Sequence, residues 1–160
     1  MIVIGYQGIG KSTLAGRDNK FIDLESGNFW VDGKRADDWY KPYCQIAEHL
    51  SQQGYIVFTS SHEVVRKQLE NSSETIVVAY PSIKLKDEWI NKLEKRYEES
   101  GLAKDFKALM NAKDRYEENI RELGEYGHEC QVYRLIITEM NYDLEASLIR
   151  LKNEIDGLLG

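Results

Sequence analysis

Short, almost continuously apolar runs alternate along the chain with longer segments of helical periodicity. Each run has the length of a strand and is rich in Ile, Val, Phe or Tyr, with no alternation between apolar and polar residues. Continuous apolar runs are typical of parallel strands that are buried on both faces. We therefore predict five strands, over residues 1–4, 21–24, 55–59, 75–79 and 132–138.

Between these runs, apolar residues recur every three or four positions, which indicates helices with one buried face. One helix is expected to end before Gly54, since glycine suits the position after a helix terminus, and another to span about residues 103–123. The stripes expected to face the core are Tyr43, Ile46, Ala47 and Leu50; Leu85, Trp89, Leu93 and Tyr97; Phe106, Leu109, Met110, Ile120 and Leu123; and Leu144, Leu148, Leu151 and Ile155. Strands that alternate with helices predict one α/β domain over residues 1–160, a doubly wound sheet with helices on both faces.

Composition and charge narrow the class of protein. The 160 residues include 21 Lys and Arg against 27 Asp and Glu, a formal net charge of −6. This balance argues against a protein that coats nucleic acid, because neutralising many phosphates needs a basic face; it leaves room for one phosphorylated ligand. No apolar run approaches the roughly 20 residues of a membrane span, and the N-terminus lacks a signal-peptide pattern. Since Cys44 and Cys130 are too few for a disulfide framework or a zinc site, we expect a cytoplasmic protein with reduced cysteines.

The sequence Gly-Tyr-Gln-Gly-Ile-Gly-Lys-Ser-Thr, residues 5–13, directly follows the first predicted strand. It fits the pattern G-x-x-x-x-G-K-[ST] completely. Its glycines let successive backbone N–H groups point at one anion, its lysine supplies a positive charge to the β- and γ-phosphates, and the hydroxyl after the lysine reaches Mg²⁺. The pattern predicts that ATP and Mg²⁺ are bound by Gly8, Ile9, Gly10, Lys11, Ser12 and Thr13.

Five segments carry a resemblance to a known family: GYQGIGKST, FIDLESGNF, YIVFTSSHEVVRKQL, VVAYPSIKLKDEWINKLEKRY and NAKDRYEENI. On these segments the chain resembles the P-loop nucleoside monophosphate kinases, over essentially all 160 residues, and is most similar to the compact nucleotide kinases of bacteriophages and prophages. The resemblance implies a three-layer P-loop NTPase fold with a five-stranded parallel sheet in the order 2-3-1-4-5. It also implies an acceptor-binding insertion over about residues 26–41, a small mobile lid over about residues 96–105 and, for a phage-encoded protein, the host cytoplasm as location.

The same resemblance implies a phosphotransferase that moves a phosphoryl group from ATP to a small phosphorylated acceptor, a nucleoside or deoxynucleoside monophosphate. Lys11 would hold the donor phosphates, and Ser12 would be the hydroxyl ligand of Mg²⁺. Asp23 ends the second predicted strand, where similar kinases have an acid that contacts Mg²⁺-bound water or the acceptor. Arg66 corresponds to the arginine that clamps the acceptor phosphate, and Arg96 to an arginine of the lid. Lys11, Asp23, Arg66 and Arg96 are therefore the expected catalytic residues.

Further acceptor contacts are expected from Glu25, Arg35, Tyr40 and His62, beside Asp23 and Arg66. In the predicted insertion, aromatic rings can stack on a base while Arg35 meets its phosphate. Structural alternatives exist for each group. Glu25 could cap the turn that follows it, His62 could be a capping or surface residue, and the aromatic residues could anchor the insertion to the core, as Trp30, Trp39 and Tyr40 would.

Two other classes of function stay open. The predicted lid window contains only Arg96 and Lys104 as cations, with Arg115 on the next helix, whereas longer monophosphate kinases carry several arginines or a zinc clip. A sparse lid favours a nucleotide-binding module or a weak ATPase without a small-molecule acceptor. A kinase acting on a modified base in phage DNA is the other alternative, which the net charge of −6 disfavours. Self-association is also open, since Leu158 and Leu159 suit a core or a dimer equally.

Overall fold

Strands and helices alternate in the computed structural model, which describes residues 1–127 and 131–160. In chain order the elements are β1 (Ile2–Gly5), α1 (Lys11–Arg17), β2 (Phe21–Asp23), α2 (Tyr40–Gln52), β3 (Ile56–Thr59), α3 (Glu63–Leu69), β4 (Ile76–Pro81), α4 (Lys86–Ser100), α5 (Ala103–Glu125), β5 (Val132–Ile137) and α6 (Leu144–Leu159). Short 3-10 helices lie at Ser26–Phe29 and Ile83–Leu85. All five predicted strands are confirmed.

The strands of the described residues form one parallel sheet in the order β2-β3-β1-β4-β5, which confirms the expected order. Ile2 of β1 lies opposite Val57 of β3 and Ile76 of β4. Every residue of β1, β3 and β4 is buried. Because successive side chains of a strand point to opposite faces, these central strands are covered on both faces, as their continuous apolar runs predict.

The edge strands differ from that prediction. Most residues of β5 are half-buried, and Ile136 is 48% exposed although its neighbours in sequence are equally apolar. In β2, Ile22 and Asp23 are also half-buried. Within the described residues each of these strands pairs with a single neighbour, so the layers that cover the middle of the sheet end beside them. The prediction of burial on both faces is therefore wrong for β5.

The helices bury most of the predicted stripes, but Ile46, Phe106 and Met110 are exposed. In α5, backbone geometry departs from helical values at Arg115 (φ −137°, ψ 20°). α5 packs along α4, where the rings of Phe106 and Tyr97 lie 5.2 Å apart. The buried residues of α5 form one stripe on both sides of the kink: Asp105, Leu109, Ala112, Tyr116, Ile120 and Leu123. Phe106 and Met110 lie beside this stripe, at the margin of the buried face. Ile46 lies at the margin of the buried face of α2.

The predicted insertion and lid both take a defined form. The insertion ends earlier than residue 41, because α2 already begins at Tyr40. It contains the 3-10 helix Ser26–Phe29 and an antiparallel bridge between Val31 and Lys34. The lid window, residues 96–105, covers the end of α4, a turn at Gly101 and the start of α5. It is therefore the tip of a helical hairpin.

The structure bears on two expectations drawn from composition, which concern the cysteines and membrane-spanning helices. Cys44 is a buried free thiol, and burial raises its pKa to about 12. Cys130 lies outside the described residues. None of the helices in the described parts of the chain is both long enough and apolar enough to cross a bilayer.

Candidate functional site

The glycine-rich loop, residues 5–13, connects the carboxyl end of β1 to the first turn of α1. Gly8 and Gly10 adopt φ values of 86° and 105°, a region that side chains disfavour. At Gly5 an added Cβ would lie 2.7 Å from Ile9 Cδ1 and 2.8 Å from Lys11 Cδ. Glycine at these positions therefore permits both the turn and the close packing of the loop on itself.

Lys11, the first residue of α1, folds back over this loop, and its Nζ donates a hydrogen bond to the Gly5 carbonyl oxygen at 3.0 Å. Burial lowers the pKa of Lys11, and the charges of Asp23 and Glu25 oppose that shift. The charge of an ammonium is only partly neutralised when its partner is one backbone carbonyl and little solvent surrounds it. An anion bound against the loop would satisfy it.

A cleft of about 230 Å³ opens beside the loop, with the carboxyl end of β2 and the tip of the α4–α5 hairpin as its other walls. It brings together seven of the residues proposed from sequence: Gly8, Gly10, Lys11, Ser12, Asp23, Glu25 and Arg96. Ser60, which follows β3, also lines it. Parallel strands end at one edge of the sheet, and ligands of open α/β sheets bind there.

The acidic wall of this cleft consists of Asp23 and Glu25. Burial raises the pKa of Asp23, the neighbouring charge of Lys11 lowers it, and that of Glu25 raises it. Glu25 is the N-cap residue of the 3-10 helix after it, through its backbone carbonyl, but its side chain makes no capping bond and is left to face the cleft. Its Oε1 lies 3.9 Å from Lys104 Nζ on α5, which links the end of β2 to the hairpin across the cleft.

Ser12 and Asp23, the pair predicted to hold Mg²⁺, both line this cleft, as do the carboxylates of Glu25 and Asp105. Among the described residues there is no cluster of three or more His, Cys, Asp or Glu side chains that would hold a metal unaided. Mg²⁺ commonly binds through one or two protein oxygens, with phosphates and water completing its octahedron. The hydroxyl and carboxylate present here fit that mode of binding.

Arg96 lines the cleft, but it already has an acidic partner. Its Nε lies 3.0 Å from Oδ1 of Asp105, and the Asp105 carboxylate is almost fully buried and also accepts from the Ser100 hydroxyl. The ion pair joins the end of α4 to the start of α5. Arg96 therefore fixes the tip of the hairpin in this conformation.

Arg66 lies away from the cleft. Its Nε donates to the Ser61 carbonyl oxygen at 3.0 Å, and its NH2 donates to Glu122 of α5 at 3.3 Å. The side chain is mostly buried by these contacts. Arg115 also pairs with Glu122, at 3.4 Å, and with Glu118, at 2.9 Å. Both arginines therefore form ion pairs with one acidic face of α5.

An aromatic cluster extends from Ser60 along the predicted insertion. The Arg35 guanidinium lies 3.8 Å from the ring centre of Trp39 and 5.1 Å from that of Trp30. The His62 ring contacts Trp39 edge-on at 5.6 Å, and its Nδ1 lies 2.8 Å from Ser60 Oγ. Burial, then the charges of Arg35 and Lys11, lower the pKa of His62.

This cluster separates the two alternatives for the insertion's tryptophans. Trp39 is 7% exposed and packs on Phe29 and Tyr43, so it anchors the insertion to the core. Trp30 is 51% exposed and contacts Arg35. Tyr40, as the first residue of α2, is half-buried against the core. His62 precedes α3 but makes no side-chain capping bond to it.

On its other side the loop faces a second, wider cavity of about 810 Å³, lined by Ile9 and Thr13 and by residues 140–144, which follow β5. Two aromatic side chains, Tyr142 in the wall of this cavity and the buried Trp89, hold loop carbonyls, a role that the sequence patterns miss. Trp89 Nε1 donates to the Gln7 carbonyl at 2.9 Å, and the Tyr142 hydroxyl donates to the Ile9 carbonyl at 2.8 Å. The sequence does contain one signal for the position of Tyr142. It follows the fifth predicted strand, and segments that follow parallel strands meet at one edge of the sheet, where the glycine-rich loop also lies.

Comparisons with known proteins add little to this geometry. No family model matches the chain, and no curated protein matches it. Several solved structures match; among them, that of an uncharacterized protein from Eubacterium ventriosum ATCC 27560 is similar at 12% sequence identity with a TM-score of 0.43, over 95% of this chain and 96% of that chain. Function has to be inferred from the site itself.

Proposed function

We propose that this protein is an ATP- and Mg²⁺-dependent P-loop kinase that phosphorylates a small phosphorylated acceptor, a nucleoside or deoxynucleoside monophosphate. The observation that carries the proposal is one cleft in which Lys11 and Ser12 of a complete G-x-x-x-x-G-K-[ST] loop lie opposite Asp23 and Glu25. Phosphoryl transfer asks the protein mainly for positioning and for neutralisation of charge. A cation, a hydroxyl and two carboxylates around one small cleft can supply both.

On the donor side, the loop's own residues supply the contacts. The positive φ values at Gly8 and Gly10 turn the backbone so that successive amides can face an anion. Lys11 would exchange its bond to the Gly5 carbonyl for a phosphate oxygen. Ser12 and Asp23 would hold Mg²⁺, which supplies neutralising charge to the phosphate oxygens when bound.

On the acceptor side, the aromatic cluster beside Ser60 supports an acceptor that combines a planar ring with an anionic group. Trp30 offers an exposed ring face next to Arg35, and aromatic faces stack on any base. The Arg35 guanidinium can pair with a phosphate through two parallel hydrogen bonds. His62 and Ser60 continue this polar line to the cleft.

A panel of nucleoside and deoxynucleoside monophosphates, mixed with ATP and Mg²⁺, tests the proposal. We expect at least one member to raise ADP release well above the rate without acceptor and to yield the corresponding diphosphate. Lys11→Ala should lose this activity and keep its fold, whereas the matched control Lys20→Ala, on an exposed residue, should behave as wild type. Full turnover by Lys11→Ala would refute the role given to the loop.

A second candidate, a nucleotide-binding module without an acceptor, is favoured by one observation. The arginines expected to serve the acceptor and the lid, Arg66 and Arg96, each already pair with a carboxylate, at 3.3 Å and 3.0 Å. Freeing them for phosphate would break those pairs. Tight ATP binding with no stimulation by any acceptor in the panel would support this module over the kinase.

A further inference from the structure

Three cations line the wider cavity beside the glycine-rich loop: Arg17, Lys92 and Arg96. Arg17 pairs with Glu145 at 3.1 Å, and Arg96 pairs with Asp105 at 3.0 Å. Within the part of the chain that the structure describes, Lys92 has no carboxylate at ion-pair distance. Of these three cations, Lys92 is therefore the one whose charge is not neutralised by a carboxylate of the described residues.

Aromatic rings hold Lys92 in position. Its Nζ lies 4.4 Å from the ring centre of Trp89 and 4.9 Å from that of Tyr142, and it donates to the Tyr142 hydroxyl at 2.7 Å. The two rings are nearly parallel, with an interplanar angle of 20°. Ring faces attract a cation without cancelling its charge, so Lys92 keeps its capacity to bind an anion.

The same two aromatic residues connect Lys92 to the loop. Tyr142 accepts from Lys92 and donates to the Ile9 carbonyl, while Trp89 donates to the Gln7 carbonyl. Two successive hydrogen bonds, through the Tyr142 hydroxyl, thus connect the ammonium to the backbone that the proposed function assigns to phosphate binding.

From this geometry we propose that Lys92 is a nucleotide-binding residue, which contacts the phosphate chain of the bound nucleoside triphosphate from the α4 side of the loop. The inference rests on the proposed function, because it takes the loop to hold the triphosphate. It adds a contact that no motif identifies, since Lys92 lies in the middle of α4 and outside the predicted lid. Arg96 becomes the residue that shapes the hairpin, and Lys92 the cation available to the ligand.

The proposal includes a pH dependence. Burial, and then the charge of Arg96, lower the pKa of Lys92 to about 8. The other titratable or charged groups that face this cavity are Arg17 from α1 and Tyr142 and Asp143 from the segment after β5. Below about pH 8 the ammonium is charged and attracts phosphate; above it the neutral amine does not. Phosphate groups have their second pKa near 6, so the ligand's own charge is constant in this range and affinity should fall as pH rises.

Binding of a non-hydrolysable ATP analogue with Mg²⁺, measured by calorimetry at pH 7.0 and 9.0, tests the proposal. For the wild type we expect weakening by roughly five- to tenfold at the higher pH, as most of an ammonium with this pKa is lost. Lys92→Gln should bind about tenfold more weakly at pH 7.0, the loss of one charge-assisted contact, and should show little further change at pH 9.0. Lys95→Gln, on an exposed neighbour in α4, is the matched control and should behave as wild type.

Lys92→Arg is the decisive variant, because burial also lowers the pKa of Lys11. It keeps a positive charge at pH 9.0 and leaves Lys11 unchanged, so it should bind well at both pH values. Wild-type affinity of Lys92→Gln at pH 7.0, or a wild-type pH dependence in Lys92→Arg, would overturn the inference while the proposed function stands. Failure of the wild type to bind any nucleotide would overturn the proposed function and this inference with it. Thermal unfolding of each variant identifies a loss of binding caused by misfolding.

Discussion

Substitution of Gly8 by alanine probes the packing that fixes the glycine-rich loop. Gly8 is one of the variable positions in G-x-x-x-x-G-K-[ST], so the motif does not require glycine there. The structure does, for two separate reasons. Its φ is 86°, and an added Cβ would lie 2.9 Å from Leu93 Cδ2 and 3.2 Å from Trp89 Nε1. Both neighbours are buried in α4, so their side chains would have to shift to admit the added methyl group.

The cost of Gly8→Ala is the sum of these two effects. An alanine in left-handed backbone geometry costs about 1–2 kcal/mol, and overpacking a buried contact costs about 1–3 kcal/mol more. We therefore expect the free energy of unfolding to fall by about 2–5 kcal/mol, a large part of the stability of a domain this size. Because Trp89 holds the Gln7 carbonyl, its displacement should also weaken nucleotide binding.

Gly54→Ala is the matched control for this prediction. Gly54 has a similar φ of 95° in the turn after α2, but an added Cβ there meets no heavy atom within 4 Å. For Gly54→Ala the free energy of unfolding should therefore fall only by the backbone strain, about 1–2 kcal/mol. Urea unfolding followed by far-UV circular dichroism measures both variants against wild type. Equal destabilisation of the two variants would refute the packing argument.

Three further substitutions have defined outcomes in the same unfolding assay. Thr59 Oγ1 is buried without a hydrogen-bond partner among the described residues, so Thr59→Val should raise the free energy of unfolding by about 1 kcal/mol; a loss would show that the hydroxyl has a partner. The Tyr43 hydroxyl donates to the Leu24 carbonyl at 2.6 Å and accepts from the Ser60 N–H at 2.9 Å, so Tyr43→Phe should cost about 1–3 kcal/mol, and an unchanged midpoint would contradict that. Gly16 lies exposed inside α1 with open space around its Cα, so Gly16→Ala should add about 0.5–1 kcal/mol and a lowered melting temperature would oppose it.

Much of the fold could be predicted from local patterns in the sequence. The five strands and the turn at Gly54 were predicted from runs of apolar residues and from one glycine, and the structure contains them. Such patterns are informative because the side-chain period of a strand and the φ of a turn are set by neighbours in sequence. The order of the sheet followed from a resemblance, and the parallel pairings agree with it.

Which particular side chains are buried was harder to predict from the sequence. Phe106 and Met110 fit a helical stripe, yet both are exposed, since the face of α5 that the fold buries runs through Leu109, Ala112 and Tyr116 and leaves them at its margin. Ile136 belongs to an apolar run, but β5 is an edge strand. Whether a given apolar residue is buried depends on which element covers it, and that is a property of the assembled layers.

The candidate site divides in the same way. By itself the sequence determined the glycine-rich loop, Lys11 and Ser12, because a phosphate-binding backbone needs glycines and a lysine at fixed spacing along one stretch of chain. Only the tertiary structure decided that Asp23 faces that loop, that Arg66 pairs with Glu122, and that Lys92 lies beside the loop without an acidic partner among the described residues. A long side chain can reach several neighbours, and its partner depends on which distant elements fold next to it. Spacing along the chain carries no information about that choice.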